Sequence, residues 1–210
     1  MNEPMIYIVD DDPSVRKALM RLLNSAGMNT EAYASATDFL EFGNCDRNGC
    51  LILDVKMKDI TGPELHERLI QQGCEMPILF LTGHGDVPTS VDAMKKGAID
   101  FLTKPVDASE LFEAVQRALD KDREIRLVRE EHSSFIENIK SLTPREYEVM
   151  TYVITGILNK QIAAEMSISE ETVKVHRGRL MQKLEIVSVA ELVRLCEKTG
   201  IKSANIKGNY

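Results

Sequence analysis

The chain has 210 residues, 43% of them apolar, which is enough for one large or two ordinary domains with packed cores and excludes a wholly disordered protein. Its 26 basic and 33 acidic side chains give a formal charge of −7, and the excess acid is local, because residues 1–120 carry 11 basic and 20 acidic groups while residues 141–200 carry 8 of each. No apolar run reaches the roughly 18–20 residues that span a bilayer, and the opening MNEPMIYIVDDD lacks the basic start of an export signal, so a cytoplasmic protein without membrane contact is expected.

From Met5 to Val106 one rhythm recurs: a short β-branched run ends in polar residues and gives way to a segment of helical period. Strands are expected over 6–9, 29–33, 51–53, 78–81 and 99–102, and helices over 14–26, 36–42, 63–72, 87–96 and 108–119. Such alternation calls for a parallel sheet with helices on both faces, since each right-handed crossover lays its helix on one side. The first, third and fourth runs are almost wholly apolar, as central parallel strands are. Asp12 before Pro13 reads as a helix cap. Cys45, Cys50, Cys74 and Cys196 contain no C-x-x-C pair and have no histidine at ligand spacing, so four reduced thiols are expected.

Residues 121–140 are dense in charge and free of Gly and Pro, and read as a helical linker. Ile125, Val128, His132, Phe135 and Ile139 recur at spacings of 3 and 4 along it, a narrow stripe that also suits pairing with a second copy. From Leu142 to Leu195 the pattern is wholly helical, with Thr143 and Ser169 as caps and a short turn over 167–169 separating two helices at helix-turn-helix spacing.

In a doubly wound sheet, functional groups gather beyond the carboxyl ends of the strands. Those ends carry Asp10 and Asp11, then Asp54, Thr82 and Lys104. Three carboxylates pressed together repel one another, a costly arrangement unless a divalent cation lies among them, and oxygen ligands suit Mg²⁺. Mg²⁺ beside a lysine ammonium is the electrostatic setting for phosphoryl transfer, so a carboxylate here can be phosphorylated.

With IVDDD, LILDV, FLTGHGD and DFLTKP in that order, residues 3–120 resemble the receiver domain of two-component response regulators. The resemblance implies a flavodoxin-like α/β fold, a doubly wound five-stranded parallel sheet of strand order 2-1-3-4-5. It implies Asp54 as phosphoacceptor, and Asp10, Asp11, Asp54 and the main-chain carbonyl of Lys56 as Mg²⁺ ligands. Thr82 and Lys104 would bind the phosphoryl oxygens, and Phe101 would be the switch aromatic, although a strand-end aromatic also serves plain core packing. One departure is visible: Lys58 follows Met57 where the family commonly has proline, placing extra positive charge near Asp54.

The second expected helix of the turn motif buries Val173, Leu180 and Leu184 on one face, while Lys174, Val175, Gly178, Arg179 and Gln182 occupy the other. Between Thr172 and Lys183 there are four cations and no acid. LTPRE, G-x-x-N-K-Q-I-A and I-S-E-E-T-V-K-V-H resemble the all-α four-helix helix-turn-helix domain of NarL/FixJ, LuxR-type regulators. The resemblance implies Lys174 and Val175 as base-facing positions and Lys160, Thr172 and Lys183 as backbone contacts. Gly178 replaces a longer side chain there, and Arg177 or Arg179 would supply the missing readout.

The expected organisation is therefore a receiver over 1–120, a linker over 121–140, a DNA-binding domain over 141–200 and a tail over 201–210. The resemblance implies a response regulator and not an enzyme: a sensor histidine kinase would phosphorylate Asp54 with Mg²⁺, a homodimer would form, double-stranded DNA with two-fold symmetry would be bound and RNA polymerase would be a further partner. The alternatives are a Mg²⁺-dependent phosphatase using an aspartyl phosphate, which lacks its D-x-D-x-T strand here, and a receiver-gated protein-interaction module.

Overall fold

A computed structural model describes residues 3–83 and 97–205, and these divide into two compact units, Met1–Arg126 and Leu127–Tyr210. In the first unit, strands β1 (Met5–Val9), β2 (Asn29–Tyr33), β3 (Gly49–Asp54), β4 (Ile78–Thr82) and β5 (Asp100–Thr103) form one parallel sheet in the order β2-β1-β3-β4-β5. Helices α1 (Pro13–Ser25), α2 (Ala36–Phe42) and α3 (Gly62–Gln71) follow the first three strands, and α4 (Ala108–Lys140) follows β5. The helix expected over 87–96 lies outside the described residues.

Side-chain alternation along the strands divides the core in two. Tyr7, Val9, Leu51, Leu53 and Phe80 face α2 and α3, with Phe39 and Leu65 packed against them. Ile6, Ile8, Ile52, Leu79 and Leu81 face α1 and α4, packing on Leu19, Leu23, Leu111 and Val115. The three central strands are buried almost throughout, whereas β2 and β5 at the edges are mixed, matching their more polar sequences. Asp12 caps α1 by accepting from the Ser14 amide at 2.8 Å. Thr61 and Glu64 close a reciprocal capping box on α3.

Two expectations are corrected. Helix α4 does not stop near 119: it runs unbroken to Lys140, because nothing in 120–140 interrupts helical backbone. Its turn after 119 is part of the first unit, where buried Asp122 accepts from the Gly49 amide at 3.0 Å and Arg126 donates to Asp122 at 2.9 Å and to the Asp46 carbonyl at 2.8 Å. Gly49 is needed there, since a Cβ would overlap the Met5 carbonyl. The second correction concerns the thiols: Cys45 and Cys74 are joined as a disulfide with Cα atoms 5.6 Å apart, and only Cys50 and Cys196 are free. The pair is 29 residues apart in sequence, and it meets because the two loops feed adjacent strands β3 and β4.

The second unit comprises the end of α4 with α5 (Pro144–Val153), α6 (Asn159–Met166), α7 (Glu170–Lys183) and α8 (Val189–Lys198). Its core gathers Val149, Met150, Ile162, Val173, Leu180, Leu184, Leu192 and Leu195. Phe135 belongs to this core and Ile139 packs against it, so that these two of the five stripe residues on α4 are used within their own chain. Ser167 closes α6 in the left-handed region at φ 54° and Ser169 caps α7 two residues later, which makes the tight helix-turn-helix corner. Among the described residues no helix is long and apolar enough to cross a membrane.

Candidate functional site

At the carboxyl edge of the sheet, β1 delivers Asp10 and Asp11, β3 ends at Asp54, β4 at Thr82, and Lys104 follows β5. Asp10, Asp54 and Thr82 are buried, and Asp11 is half-buried. The Lys104 ammonium lies 2.6 Å from Asp10 Oδ2 and 2.6 Å from Asp54 Oδ1, bridging the two carboxylates. The Asp54 Oδ2 atom accepts from the Lys56 amide at 3.1 Å, and Asp10 Oδ1 accepts from the Asp12 amide at 2.9 Å.

These contacts pull the protonation equilibria in opposite directions. Burial pushes the Asp54 carboxyl above its usual range, and the neighbouring Asp10 charge adds to this. The Lys104 bond and the Lys56 amide offset the rise without cancelling it. Burial by itself would pull the Lys104 ammonium down, yet its bonds to Asp10 and Asp54 outweigh that and its pKa is raised. The result is a cation held firmly between two acids that repel each other.

Ligand oxygens of Asp10, Asp11 and Asp54 all lie within 4.8 Å of one another. An all-oxygen anionic set of this size fits a hard divalent cation such as Mg²⁺. Three carboxylates against one bridging lysine leave uncompensated negative charge, which such an ion would neutralise. Lys58, whose charge was expected beside Asp54, instead places its ammonium 3.1 Å from Asp11 Oδ2 while remaining exposed. Arg16 donates to the Asp10 carbonyl at 2.5 Å, a contact with no signature in the sequence.

The Thr82 hydroxyl donates to the Gly83 carbonyl at 3.1 Å. Phe101 is half-buried and stacks on Phe80 with ring centroids 5.1 Å apart. Gly62 opens α3 with its amide on the Val55 carbonyl at 3.0 Å, and a Cβ at this position would run into the Asp54 carbonyl and the Phe80 ring. Gly62→Ala is therefore expected to destabilise the first unit by about 2 kcal/mol, read as a lower urea midpoint at unchanged slope.

In the second unit the expected contact residues separate into two groups. Lys160, Lys174, Val175, Gly178 and Arg179 are exposed on α6 and α7. Lys174 makes only loose pairs with Glu170 at 3.8 Å and Glu171 at 3.6 Å, contacts that cost little to give up. Thr172, Arg177 and Lys183 are engaged within the unit. The Thr172 hydroxyl shares a hydrogen bond of 2.7 Å with Ser169, Arg177 donates to Asn159 Oδ1 at 2.8 Å, and the Lys183 ammonium lies 2.6 Å from Glu146 Oε2 and 3.2 Å from the Ser141 carbonyl. Glu146 is buried and belongs to the capping box of α5, so Lys183 ties α7 to α5. Sequence reasoning missed this tie because 37 residues separate the partners.

Comparison with known proteins places both units. Residues 6–116 match the response regulator receiver domain and residues 140–196 match the bacterial regulatory proteins of the luxR family. The response regulator protein TodT of Pseudomonas putida is 44% identical over 194 residues, covering 92% of this chain and 86% of the relative. The transcriptional regulatory protein FixJ of Azorhizobium caulinodans is 38% identical over 200 residues, covering 95% of each. Among solved structures, the response regulator StyR is similar with a TM-score of 0.77 and 45% identity, covering 94% of this chain and 100% of that one. Full-length FixJ from B. japonicum gives 0.58 and 38%, covering 96% and 99%.

Proposed function

Because the chain belongs to the response regulators that join a receiver domain to a LuxR-type DNA-binding domain, we propose that phosphorylation of Asp54 by a sensor histidine kinase drives dimerisation and sequence-specific DNA binding, and so sets transcription. The observation that carries this reading is the Lys104 ammonium bridging Asp10 and Asp54 at 2.6 Å each, with Asp11 alongside.

An Asp54 carboxylate oxygen attacks the phosphorus of a phosphohistidine, a P–O bond forms as the P–N bond breaks, and the electron pair leaves on the imidazole nitrogen. Lys104 holds a phosphoryl oxygen, and the Thr82 hydroxyl turns from the Gly83 carbonyl to donate to another. Phe101, stacked on Phe80, is the aromatic that follows Thr82. Asp10, Asp11, Asp54 and the main-chain carbonyl of Lys56 would hold Mg²⁺, which when bound neutralises charge on the phosphoryl oxygens. Phosphorylation shifts an existing equilibrium between receiver conformations, and two copies then meet on a two-fold symmetric site in double-stranded DNA, where RNA polymerase is a further partner.

On DNA, Lys174 and Val175 face base edges, Gly178 permits close approach, Arg179 adds readout and Lys160 contacts the phosphate backbone. Thr172, Arg177 and Lys183 hold α7 in place through the internal bonds described above, and whatever backbone contact they make is added to that role. The test is treatment with acetyl phosphate or beryllofluoride in Mg²⁺, followed by sizing and DNA retention. With acetyl phosphate wild type should gain one phosphoryl group, and with either reagent it should dimerise and bind DNA, whereas Asp54→Ala should do none of these. No adduct on wild type, or an adduct on another residue, overturns the reading. In the same assay Lys160→Ala should lower the salt dependence of log Kobs by about 1, while Val175→Ala should change base preference at unchanged slope.

A further inference from the structure

We propose that Cys45 and Cys74 form a reversible thiol–disulfide site, exchanging with small-molecule disulfides of the glutathione class, and that its state sets how firmly the loop before β3 holds α4.

The two cysteines have Cα atoms 5.6 Å apart, within the usual range for a disulfide, and both are only half-buried. The remaining cysteines contrast with them. Cys50 and Cys196 are buried, and burial pushes their thiols up to about 12 and about 11, which keeps them protonated and inert, because only a thiolate exchanges. The fold thus separates one reachable pair from two protected thiols.

What the pair restrains gives it a consequence. The loop closed by the bond contains β3, Asp54 and α3. Directly after Cys45, the Asp46 carbonyl accepts from Arg126 Nη1 at 2.8 Å, and the Gly49 amide donates to buried Asp122 at 3.0 Å. Asp122 in turn accepts from Arg126 Nε at 2.9 Å. The loop over 45–49 is therefore held covalently to the loop before β4 and by hydrogen bonds to α4, the helix that continues into the second unit. Breaking the covalent restraint weakens the ordering of the loop, and its opening then frees Asp122 and Arg126 together.

The exchange balances. One cysteine thiolate attacks a sulfur of glutathione disulfide and releases one glutathione thiolate, and the second cysteine thiolate displaces the other glutathione from the mixed disulfide. The two cysteines lose two electrons and two protons, and the glutathione disulfide is reduced by those electrons to two thiols that take up the protons.

The full chain is equilibrated in glutathione buffers of varied ratio, acid-quenched, unfolded, alkylated with a maleimide, weighed and peptide-mapped, with hydrogen exchange followed in parallel. Oxidised protein should carry two labels, on Cys50 and Cys196, with a Cys45–Cys74 link, and fully reduced protein should carry four. Amide exchange over 46–49 and 120–126 should rise several-fold on reduction. Cys74→Ser, with Cys45→Ser as the second variant, should show the fast exchange in every buffer. A link through Cys50 or Cys196, accumulation of mixed disulfides alone, or identical exchange in the two redox states would overturn the proposal. Phosphorylation plays no part in these readouts.

Discussion

An Asp54→Asn chain is expected to take up no phosphoryl group from acetyl phosphate and, in the absence of Mg²⁺, to unfold at a higher temperature than wild type. The first half follows from removing the nucleophile. The second follows from the sign of the Asp54 shift. A carboxyl whose folded pKa lies above its unfolded value, about 3.9, contributes stability that is complete below that value and is lost as pH rises through the folded pKa. Asp54 is such a group, because burial and Asp10 outweigh Lys104 and the Lys56 amide. At pH 7 its charge is therefore a net cost to the fold. Asparagine keeps the shape and an acceptor for Lys104 without the charge, so in chelator the variant should melt above wild type at pH 7. The gap between variant and wild type should close as pH falls toward 4, seen in thermal melts at a series of pH values. Mg²⁺ should reverse the order by stabilising wild type through binding, by about 2.7 kcal/mol at a hundred times its Kd, and chelation should restore it. A variant that melts below wild type in chelator would contradict this account of the site.

Acid should loosen the helical unit through one glutamate. The Lys183 ammonium, the Thr143 amide and the Thr143 hydroxyl hold the Glu146 carboxyl well below its usual range, down to about 2. A group whose folded pKa is depressed contributes stability present above its unfolded pKa of about 4.3, and that stability is lost as pH falls through the folded value. The window thus runs from about pH 4.3 down to the folded value of about 2. Glu146→Gln preserves the capping box, which accepts either residue, and removes only the charge. Glu146→Ala removes both and leaves Lys183 without its partner. Because the Lys183 side chain remains 36% exposed, the expected costs at pH 7 fall below those of a fully enclosed pair: about 1 kcal/mol for Gln and about 2–3 kcal/mol for Ala. The Gln deficit should disappear by pH 2. A deficit constant from pH 7 to 2, measured by urea unfolding of the full chain with a probe in the helical unit, would show that the ion pair contributes nothing.

The acidic pocket was legible to an unusual degree because its residues mark the ends of strands. A run such as LILD or MIYIVD announces both a buried parallel strand and the polar group that its carboxyl end presents, so Asp10, Asp11, Asp54, Thr82 and Lys104 could be assembled from local pattern and one rule of topology. The outer face of α7 was legible for a similar reason: Val173, Leu180 and Leu184 at helical spacing leave Lys174, Val175, Gly178 and Arg179 outside. Position on a wheel, however, does not say where a long side chain ends. Arg177 reaches Asn159 and Lys183 reaches Glu146, and Lys58 reaches Asp11 instead of Asp54.

By itself the sequence determined the alternation of strands and helices, the two-part organisation, the capping of α1 and α5, and the chemistry collected at one sheet edge. These are properties of neighbouring residues, set by backbone preference and by periods of two and of 3.6. Only the tertiary structure decided that Cys45 meets Cys74, that Asp122 and Arg126 fasten the loop before β3, that α4 is one helix with its end in a second core, and that Lys183 neutralises Glu146. Each joins residues far apart in the chain, and such pairs meet only once the crossovers have stacked helices and loops around a common core, where removing a charge or thiol from water selects the partner within reach.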